Sequence, residues 1–312
     1  MASCTCSYCR SASGSAVGDV YRATEAHHAV MAEMDSGLFR LNGGAIDSFD
    51  HVSRLSIRWV LGGTQYYRLG GSHHHRIDPT SYLLIAHGQS YATALPDPKS
   101  VMVGVAFRPS LVKNVLQVAV RKDEDLIDTE HDGTGELPLV DRRFDCATEM
   151  AELRSRVVTT IDEGRAGMEE REALVIRLLE LIVRDHGHYM HRADRLVARR
   201  ASTRVELLRR LSMGRDYMDA FFHRPLSLRE IAREACMSEY HFLRAFRDAF
   251  GESPFAYLGR RRMQEAERLL AQTNRSVSDI ALMVGFDNVS AFSRRFRNIM
   301  GQTPTQSRVL HR

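Results

Sequence analysis

The sequence lacks any hydrophobic segment long enough to cross a membrane. Such a span needs roughly 20 consecutive apolar residues, and no apolar run among the 312 residues approaches that length. The first ten residues also lack the basic stretch and apolar core of a secretion signal. The five cysteines are few and odd in number, which argues against a disulfide framework. We therefore expect a cytoplasmic protein that is not bound to a membrane.

Lysine is absent from the last part of the chain, although that part is basic. Residues 204–312 contain 19 Arg, no Lys and 12 Asp or Glu, a net charge of +7, whereas residues 1–203 have a net charge of −3. The planar guanidinium of Arg can bind guanine or phosphate with two parallel hydrogen bonds. This charge distribution favours a polyanionic partner for the C-terminal part. A solvated surface of charged helices is the alternative.

Local patterns divide the chain into four parts. Residues 1–18 are small and polar, which is typical of a disordered tail. Residues 19–125 contain short strand-like runs between Gly and Pro turns, which predict a small sandwich or barrel. Residues 126–201 have apolar residues at helical spacing, and residues 202–312 are helical in pattern throughout. An apolar stripe that includes Leu178 and Ile182 belongs to the third part; we interpret it as a homodimer interface, with a buried core as the alternative.

The most informative feature of the sequence is an internal repeat near the C-terminus. Ile231-Ala232 recurs as Ile280-Ala281, at an offset of 49 residues. Further positions recur at an offset of 50, so the second copy has one extra residue between the two sets. These positions are Phe242, Phe246, Arg247, Gly251 and Pro254 in the first copy, and Phe292, Phe296, Arg297, Gly301 and Pro304 in the second.

Each copy has the layout of a helix-turn-helix unit, in which a short helix, a tight turn and a second helix follow one another. Gly285 stands where the second turn needs a positive φ angle. Polar residues that can cap helix N-termini precede each helix. The predicted caps are Ser227 with Glu230 as a capping box and Ser238 in the first copy, and Ser276 with Asp279 as a capping box and Asp287 in the second.

The second helix of each copy is predicted to bury its phenylalanines and to expose a polar face that reads the major groove of DNA. A helix over residues 254–273 joins the copies and spans roughly 30 Å, close to the roughly 34 Å of one DNA turn. An ordinary helical repeat with polar surfaces is the alternative. The predicted DNA contacts are Tyr240, Leu243, Arg244 and Arg247 in the first copy, and Asn288, Ser290, Ser293, Arg294 and Arg297 in the second.

The run from about Tyr217 to Arg308, a third of the chain, resembles the DNA-binding domain of the AraC/XylS family. The motifs that carry the resemblance are residues 226–232, 238–247, 262–270, 276–286, 292–297 and 301–304. The resemblance implies a sequence-specific transcription regulator, most often an activator, that binds promoter DNA and recruits or positions RNA polymerase. One departure is Cys236, at a turn position where many members have Gly.

The resemblance also implies that the β-rich part is a cupin-like barrel that senses a small-molecule effector or forms a homodimer. The predicted fold class is therefore α+β multidomain, with a cupin-like barrel at residues 19–125, a helical connector or dimerisation segment at residues 126–201 and an all-α tandem helix-turn-helix domain at residues 202–312. The candidate effector-binding residues are Tyr66, His73, His75, Tyr82 and His87.

Two enzymatic alternatives and one binding alternative stay open. The histidines resemble part of a cupin metal site, so one alternative is a metal-dependent cupin-type enzyme fused to a DNA-binding domain. The expected Glu is missing at the usual spacing, and we therefore predict no metal, no cofactor and no catalytic residue. Cys4, Cys6 and Cys9 suggest a metal or redox sensor, or a cysteine-based repair protein, although the four-cysteine zinc spacing of such a protein is absent. The third alternative is a module that silences or bridges DNA without any ligand.

Overall fold

The computed structural model describes residues 20–22, 37–42, 48–52, 54–70, 73–94, 100–122, 139, 141–163, 167–198 and 200–310. The N-terminal tail with Cys4, Cys6 and Cys9 lies outside these residues. The chain divides into two compact units: residues 1–194 with 198–205, which we call the N-terminal unit, and residues 195–197 with 206–312, which we call the C-terminal unit. The predicted boundaries at residues 125 and 201 stay predictions.

The strands of the N-terminal unit form two sheets. The larger sheet has the strand order β1-β2-β9-β4-β7-β10 and the smaller one the order β3-β8-β5-β6. Strands β1 and β2 pair in parallel, and the other described pairs are antiparallel. The strands are Val20–Arg22 (β1), Gly37–Asn42 (β2), Ser48–Val52 (β3), Ser56–Gly62 (β4), Gln65–Leu69 (β5), His73–Ile77 (β6), Ser81–Ile85 (β7), Ser90–Ala94 (β8), Val101–Ala106 (β9) and Arg142–Asp145 (β10).

A hydrophobic cluster lies between the two sheets. Val60, Leu83 and Ile85 of the larger sheet pack there with Tyr67, Leu69 and Ile77 of the smaller one. Strand β7 is buried along its whole length because its alternate residues, such as Tyr82, face away from this cluster toward a helix. The predicted β-rich fold of this part is therefore confirmed, with the described strands arranged as two facing sheets.

Three α-helices belong to the described part of the N-terminal unit: Pro109–Lys122 (α1), Thr148–Glu163 (α2) and Met168–Met190 (α3). The apolar stripe of α3, which includes Leu178 and Ile182, is fully buried within the single chain. Its interpretation as a dimer interface is wrong. Periodicity shows that a helix has an apolar face but cannot show whether the same chain or a second copy covers it.

The C-terminal unit is helical, as predicted. Its first helix begins among the last residues of the N-terminal unit, because the boundary between the units falls after Val205. The helices are Ala201–Phe221 (α4), Leu228–Glu234 (α5), Glu239–Phe250 (α6), Pro254–Gln272 (α7), Val277–Met283 (α8), Val289–Met300 (α9) and Pro304–Leu310 (α10). Helices α5 and α6 form the first helix-turn-helix unit, and α8 and α9 form the second; α7 connects them.

The sequence repeat corresponds to a repeat of packing. Phe242 and Phe246 of α6 are fully buried with ring centroids 5.4 Å apart, and Phe292 and Phe296 of α9 are buried with centroids 5.8 Å apart. Burial of a phenylalanine contributes about 1.5–3 kcal/mol. These rings therefore hold the second helix of each unit in place and leave its opposite side exposed.

Both second helices also end in the same way. Gly251 and Gly301 adopt φ angles of 78° and 77°, a left-handed conformation that favours glycine because it has no Cβ. Their N–H groups donate hydrogen bonds to the carbonyl oxygens of Arg247 and Arg297, at 2.8 and 2.9 Å. Each helix therefore stops at a defined residue, before a proline that starts the next helix.

Candidate nucleic-acid interface

The first helix-turn-helix unit begins at a capped helix. The Ser227 hydroxyl accepts a hydrogen bond from the Glu230 N–H at 3.1 Å, as predicted. The second half of the predicted capping box is replaced: the Glu230 carboxylate accepts hydrogen bonds from the Tyr217 hydroxyl at 2.8 Å and from Arg224 at 2.7 Å. These donors lower the pKa of Glu230, and they attach α5 to the preceding helix α4.

The turns of the two units have the same hydrogen bonds but different residues at the strained position. Cys236 has a φ angle of 52° and Gly285 one of 82°. In each turn the next N–H donates to a helix carbonyl at 2.9 Å, from Met237 to Ala232 in the first unit and from Phe286 to Ala281 in the second. Cys236 therefore occupies the left-handed conformation that its glycine counterpart adopts without strain.

The second unit has the complete capping box that the sequence predicts. Ser276 accepts from the Asp279 N–H at 3.0 Å, and the Ser276 N–H donates to the Asp279 carboxylate at 3.3 Å. The prediction that Asp287 caps α9 is wrong, because Asn288 takes that position and accepts from the Ala291 N–H at 2.9 Å. Asp287 is thus the extra residue of the second copy, and the turn absorbs it.

The structure exposes most of the predicted DNA contacts on one side of each second helix. On α6, Tyr240 is 76% exposed and Leu243 39% exposed. They share a helix face with Arg244 and Arg247, because residues three or four apart are neighbours on a helix. The α9 counterparts are exposed except for Ser293, which is half-buried; they are Asn288, Ser290, Arg294 and Arg297.

Four arginines on these faces are electrostatically available. Arg244, Arg247, Arg294 and Arg297 make no ion pair or side-chain hydrogen bond with the part of the chain that the structure describes. Other arginines of this unit are paired, as Arg268 is with Glu265 at 2.6 Å. Unpaired guanidinium groups on a helix surface are suited to phosphate and guanine.

The exposed faces of α6 and α9 differ in charge. The face of α9 also includes Arg295, which was not among the predicted DNA contacts. Helix α6 carries Glu239 and Asp248 beside its arginines, whereas α9 carries Arg294, Arg295 and Arg297 and no acid. Arg295 is exposed and packs over α7, where a Cβ added to Gly259 would lie 2.6 Å from its Nη2. The sequence shows that Arg295 follows Arg294 directly, but it does not show that the Arg295 side chain packs against α7.

The structure does not bring the five candidate effector-binding residues together. His73 and His75 face the same side as the buried Leu69 and Tyr67, with which they pair, whereas Tyr66 belongs to the opposite face of that sheet. The Tyr82 hydroxyl donates to Asp185 of α3 at 2.7 Å, outside the space between the sheets. His87 is exposed in a turn. Within the described residues, no group of three or more His, Cys, Asp or Glu could hold a metal ion.

None of the described helices is both long and apolar enough to cross a membrane. The geometry of the C-terminal unit instead defines a tandem helix-turn-helix domain. A family model described as a helix-turn-helix domain matches residues 231–309.

The sequence relatives are transcriptional regulators that this chain matches over part of their length. The HTH-type transcriptional regulator ArgR of Pseudomonas aeruginosa is 31% identical over 150 residues, 44% of this chain and 46% of ArgR. An uncharacterized HTH-type transcriptional regulator of Staphylococcus aureus strain COL is 34% identical over 93 residues, 30% of this chain and 12% of that regulator. The chain therefore spans less than half the length of either relative.

Solved structures include similar domains. An AraC-type transcriptional regulator from Chromobacterium violaceum is 31% identical, with 33% of this chain and 92% of that chain covered and a TM-score of 0.32. A ToxT variant from Vibrio cholerae is 12% identical, with 90% and 99% covered and a TM-score of 0.36. The C-terminal unit therefore contains a tandem helix-turn-helix domain of the AraC type.

Proposed function

We propose that this chain is a transcription regulator that binds specific promoter DNA through both helix-turn-helix units. The observation that carries the proposal is the pair of capped second helices, each held by two buried phenylalanines and each presenting two unpaired arginines to solvent. Connector α7 has 19 residues, which at 1.5 Å per residue span about 28 Å. This length suits two second helices that enter successive major grooves on one side of DNA.

The test is selection of duplexes by the full chain from a random pool, at about 150 mM salt so that non-specific electrostatic binding is weak. We expect a bipartite sequence to be enriched. The Arg244→Ala, Arg294→Ala double variant should lose the preference, whereas Arg209→Ala, Arg268→Ala should keep it, because those two arginines are already paired with Glu206 and Glu265. A wild-type chain that enriches no sequence contradicts the proposal.

The N-terminal unit is proposed to sense a small molecule. What supports this is a set of polar side chains buried between the sheets, where an apolar core would otherwise be expected. Arg58 donates to the Tyr91 hydroxyl at 3.3 Å, and the Gln65 amide donates to Thr93 at 2.7 Å. His75 is buried on the same side of the smaller sheet. Polar groups within an apolar surround are the usual means of orienting a ligand.

A thermal-shift screen of the full chain against a panel of metabolites tests this role, with His75→Ala as the variant that should lose the shift. An effector must also change DNA affinity, because a ligand that binds both states equally shifts neither. If no metabolite changes either the melting temperature or DNA affinity, the chain is better described as a regulator without a small-molecule signal.

Activation through RNA polymerase is the remaining part of the proposed function. Run-off transcription from a promoter that carries the selected duplex should increase when the chain is added, and a decrease would identify a repressor. A homodimer is not needed for two DNA contacts, because one chain carries both helix-turn-helix units. Analytical ultracentrifugation of the purified chain determines whether it is a monomer or a homodimer.

A further inference from the structure

One arginine of the connector helix joins parts of the C-terminal unit that are far apart in sequence. The guanidinium of Arg262 donates three hydrogen bonds to backbone carbonyl oxygens: to Phe222 at 2.8 Å, to Arg224 at 2.9 Å and to Gly285 at 3.0 Å. The first two acceptors lie one and three residues after the end of α4. The third lies in the turn of the second helix-turn-helix unit.

The turn of the second unit is closely fitted to this arginine. A Cβ added to Gly285 would lie 2.9 Å from the carbonyl oxygen of His223 and 3.0 Å from Arg262 Nη2. The guanidinium also lies over the Phe286 ring, at 5.5 Å from its centroid. Burial lowers the pKa of Arg262, and the charge of Asp287 opposes that effect. Three consecutive turn residues, 285 to 287, therefore surround the group.

Helix α4, which directly precedes the two acceptor residues, is packed tightly against the first unit. A Cβ added to Gly214 would lie 2.6 Å from the ring of Phe242, so α4 and α6 are in close contact. The Tyr217 hydroxyl donates to Glu230 of α5 at 2.8 Å. Segment 222–224 is thus attached to the first unit, also through the hydrogen bond from Arg224 to Glu230 at 2.7 Å, and Arg262 connects that segment to the turn of the second.

The first unit has no equivalent of this arginine. The positions 49 and 50 residues before Arg262 are Met213 and Ser212, neither of which carries a charge. The connection is therefore additional to the duplicated fold. Its three acceptors lie on two different segments, which a planar guanidinium can serve together and a lysine ammonium cannot match in geometry.

We propose that Arg262 is a positioning residue that holds the second helix-turn-helix unit in one orientation relative to the first, and so sets the spacing of the two DNA subsites. The inference rests on the proposed function of both units in DNA binding. Without Arg262, each unit keeps its own buried phenylalanines and its own second helix. What is lost is the connection between segment 222–224 and the second turn.

The experiment uses the full chain and the duplex that the wild type selects from a random pool. Binding is measured to that duplex, to derivatives with one to four base pairs inserted or removed between the subsites, and to derivatives with either subsite scrambled. For the wild type we expect at least a tenfold loss when the spacing changes. For Arg262→Ala and Arg262→Lys we expect the spacing derivatives to bind within about threefold of one another.

The discriminating readout is affinity for the duplexes that keep a single subsite. A positioning role leaves that affinity within about twofold of the wild type, whereas general loss of structure lowers it together with all other affinities. Arg268→Ala is the matched control, because it removes the same charge from the same helix and Arg268 donates hydrogen bonds to Glu265 and Gln272 of α7 itself. It should retain the wild-type dependence on spacing.

Several outcomes overturn the inference. A variant at Arg262 that keeps the full dependence on spacing contradicts it, as does a folded variant that loses single-subsite affinity to the same extent. If Arg262→Lys, which keeps the charge and the aliphatic stem, does not fold, the residue serves folding rather than positioning. A wild type that selects one subsite only also counts against it. Failure of the proposed function is distinct, because then the wild type enriches no DNA at all.

Discussion

The two helix-turn-helix units share the same core packing and differ in their turns and in their exposed helix faces. Buried phenylalanines, left-handed glycines at the helix ends and prolines at the next helix start are the same in both. The turn residue, the turn length and the charge of the exposed helix face are not. Positions that support packing are therefore retained, while positions at the turn and on the surface have diverged. The divergence predicts that the two units contribute unequally to the proposed DNA binding.

The largest expected effect tests whether the two cores are equivalent. Phe246→Ala and Phe296→Ala each remove a fully buried ring and should lower the free energy of unfolding of the C-terminal unit by about 3–5 kcal/mol. Urea unfolding followed by far-UV circular dichroism measures this loss. Trp59, the single tryptophan, is buried in the N-terminal unit, so its fluorescence transition should not move. A difference above about 1 kcal/mol between the two variants would show that the cores are unequal.

The next effect separates base reading from phosphate binding. Arg294→Ala, near the middle of α9, should relax the base preference at one position by about 1–3 kcal/mol. Arg247→Ala, near the end of α6, should instead weaken binding to all sequences and reduce the salt slope by about 1. Competition binding to single-base derivatives of the selected duplex distinguishes the two. An Arg294→Ala chain with an unchanged sequence preference contradicts the reading role.

The turns are expected to respond to substitution with opposite signs. Cys236→Gly removes a Cβ from a left-handed residue and should stabilise the C-terminal unit by about 1 kcal/mol. Gly285→Ala introduces that strain beside the carbonyl of His223 and should destabilise it by about 1–2 kcal/mol. Cys236→Ala, which keeps the Cβ, is the control and should leave the midpoint of urea unfolding unchanged. If Cys236→Gly and Gly285→Ala change the free energy of unfolding in the same direction, the assignment of strain to Cys236 is wrong.

The smallest effect concerns pH and should belong to the first unit alone. The folded pKa of Glu230 lies below its ordinary value of 4.5 because Tyr217 and Arg224 stabilise the carboxylate. Its contribution to folding is therefore present above about pH 4.5 and is lost as the pH falls through the folded pKa. Glu230→Gln should remove this dependence, by under about 1 kcal/mol. Glu239→Gln, at an exposed site, is the control for unfolding measured between pH 3 and 7.

The same contact has a consequence at the alkaline end. Burial and the Glu230 carboxylate raise the pKa of Tyr217 to about 12, from 10.0. The neutral phenol thus favours the folded state below pH 10, and this contribution is lost as the pH rises toward 12.

The tandem helices could be predicted from the sequence because their signals are local. The serine caps and the phenylalanine spacing each depend on residues within one or two turns of helix, and the repeat at offsets of 49 and 50 presents these local signals twice. The choice between Asp287 and Asn288 as the cap of α9 could not be predicted in the same way. Both residue types cap well, and only the path of the turn after Gly285 decides which one is adjacent to the helix.

Contacts between distant segments were beyond the sequence patterns. Glu230 had a suitable position for a capping box, but Tyr217, 13 residues earlier, binds its carboxylate instead. No sequence pattern indicates that Arg262 donates to the carbonyl oxygens of Phe222, Arg224 and Gly285, which are 40, 38 and 23 residues away. Tyr82 had the residue type of a pocket wall, yet it lies on the face of β7 that packs toward α3. Each of these outcomes depends on which elements pack together, and a single sequence does not record that.

Asp287 shows where this fold can change in length without changing which face of the following helix is buried. An extra residue inside α9 would rotate everything after it by about 100° and would turn arginines into the core. In the turn, the same residue leaves Phe292 buried and Arg294 exposed. The turn therefore tolerates an inserted residue, so the two duplicated units can differ in length there while the register of each helix is preserved.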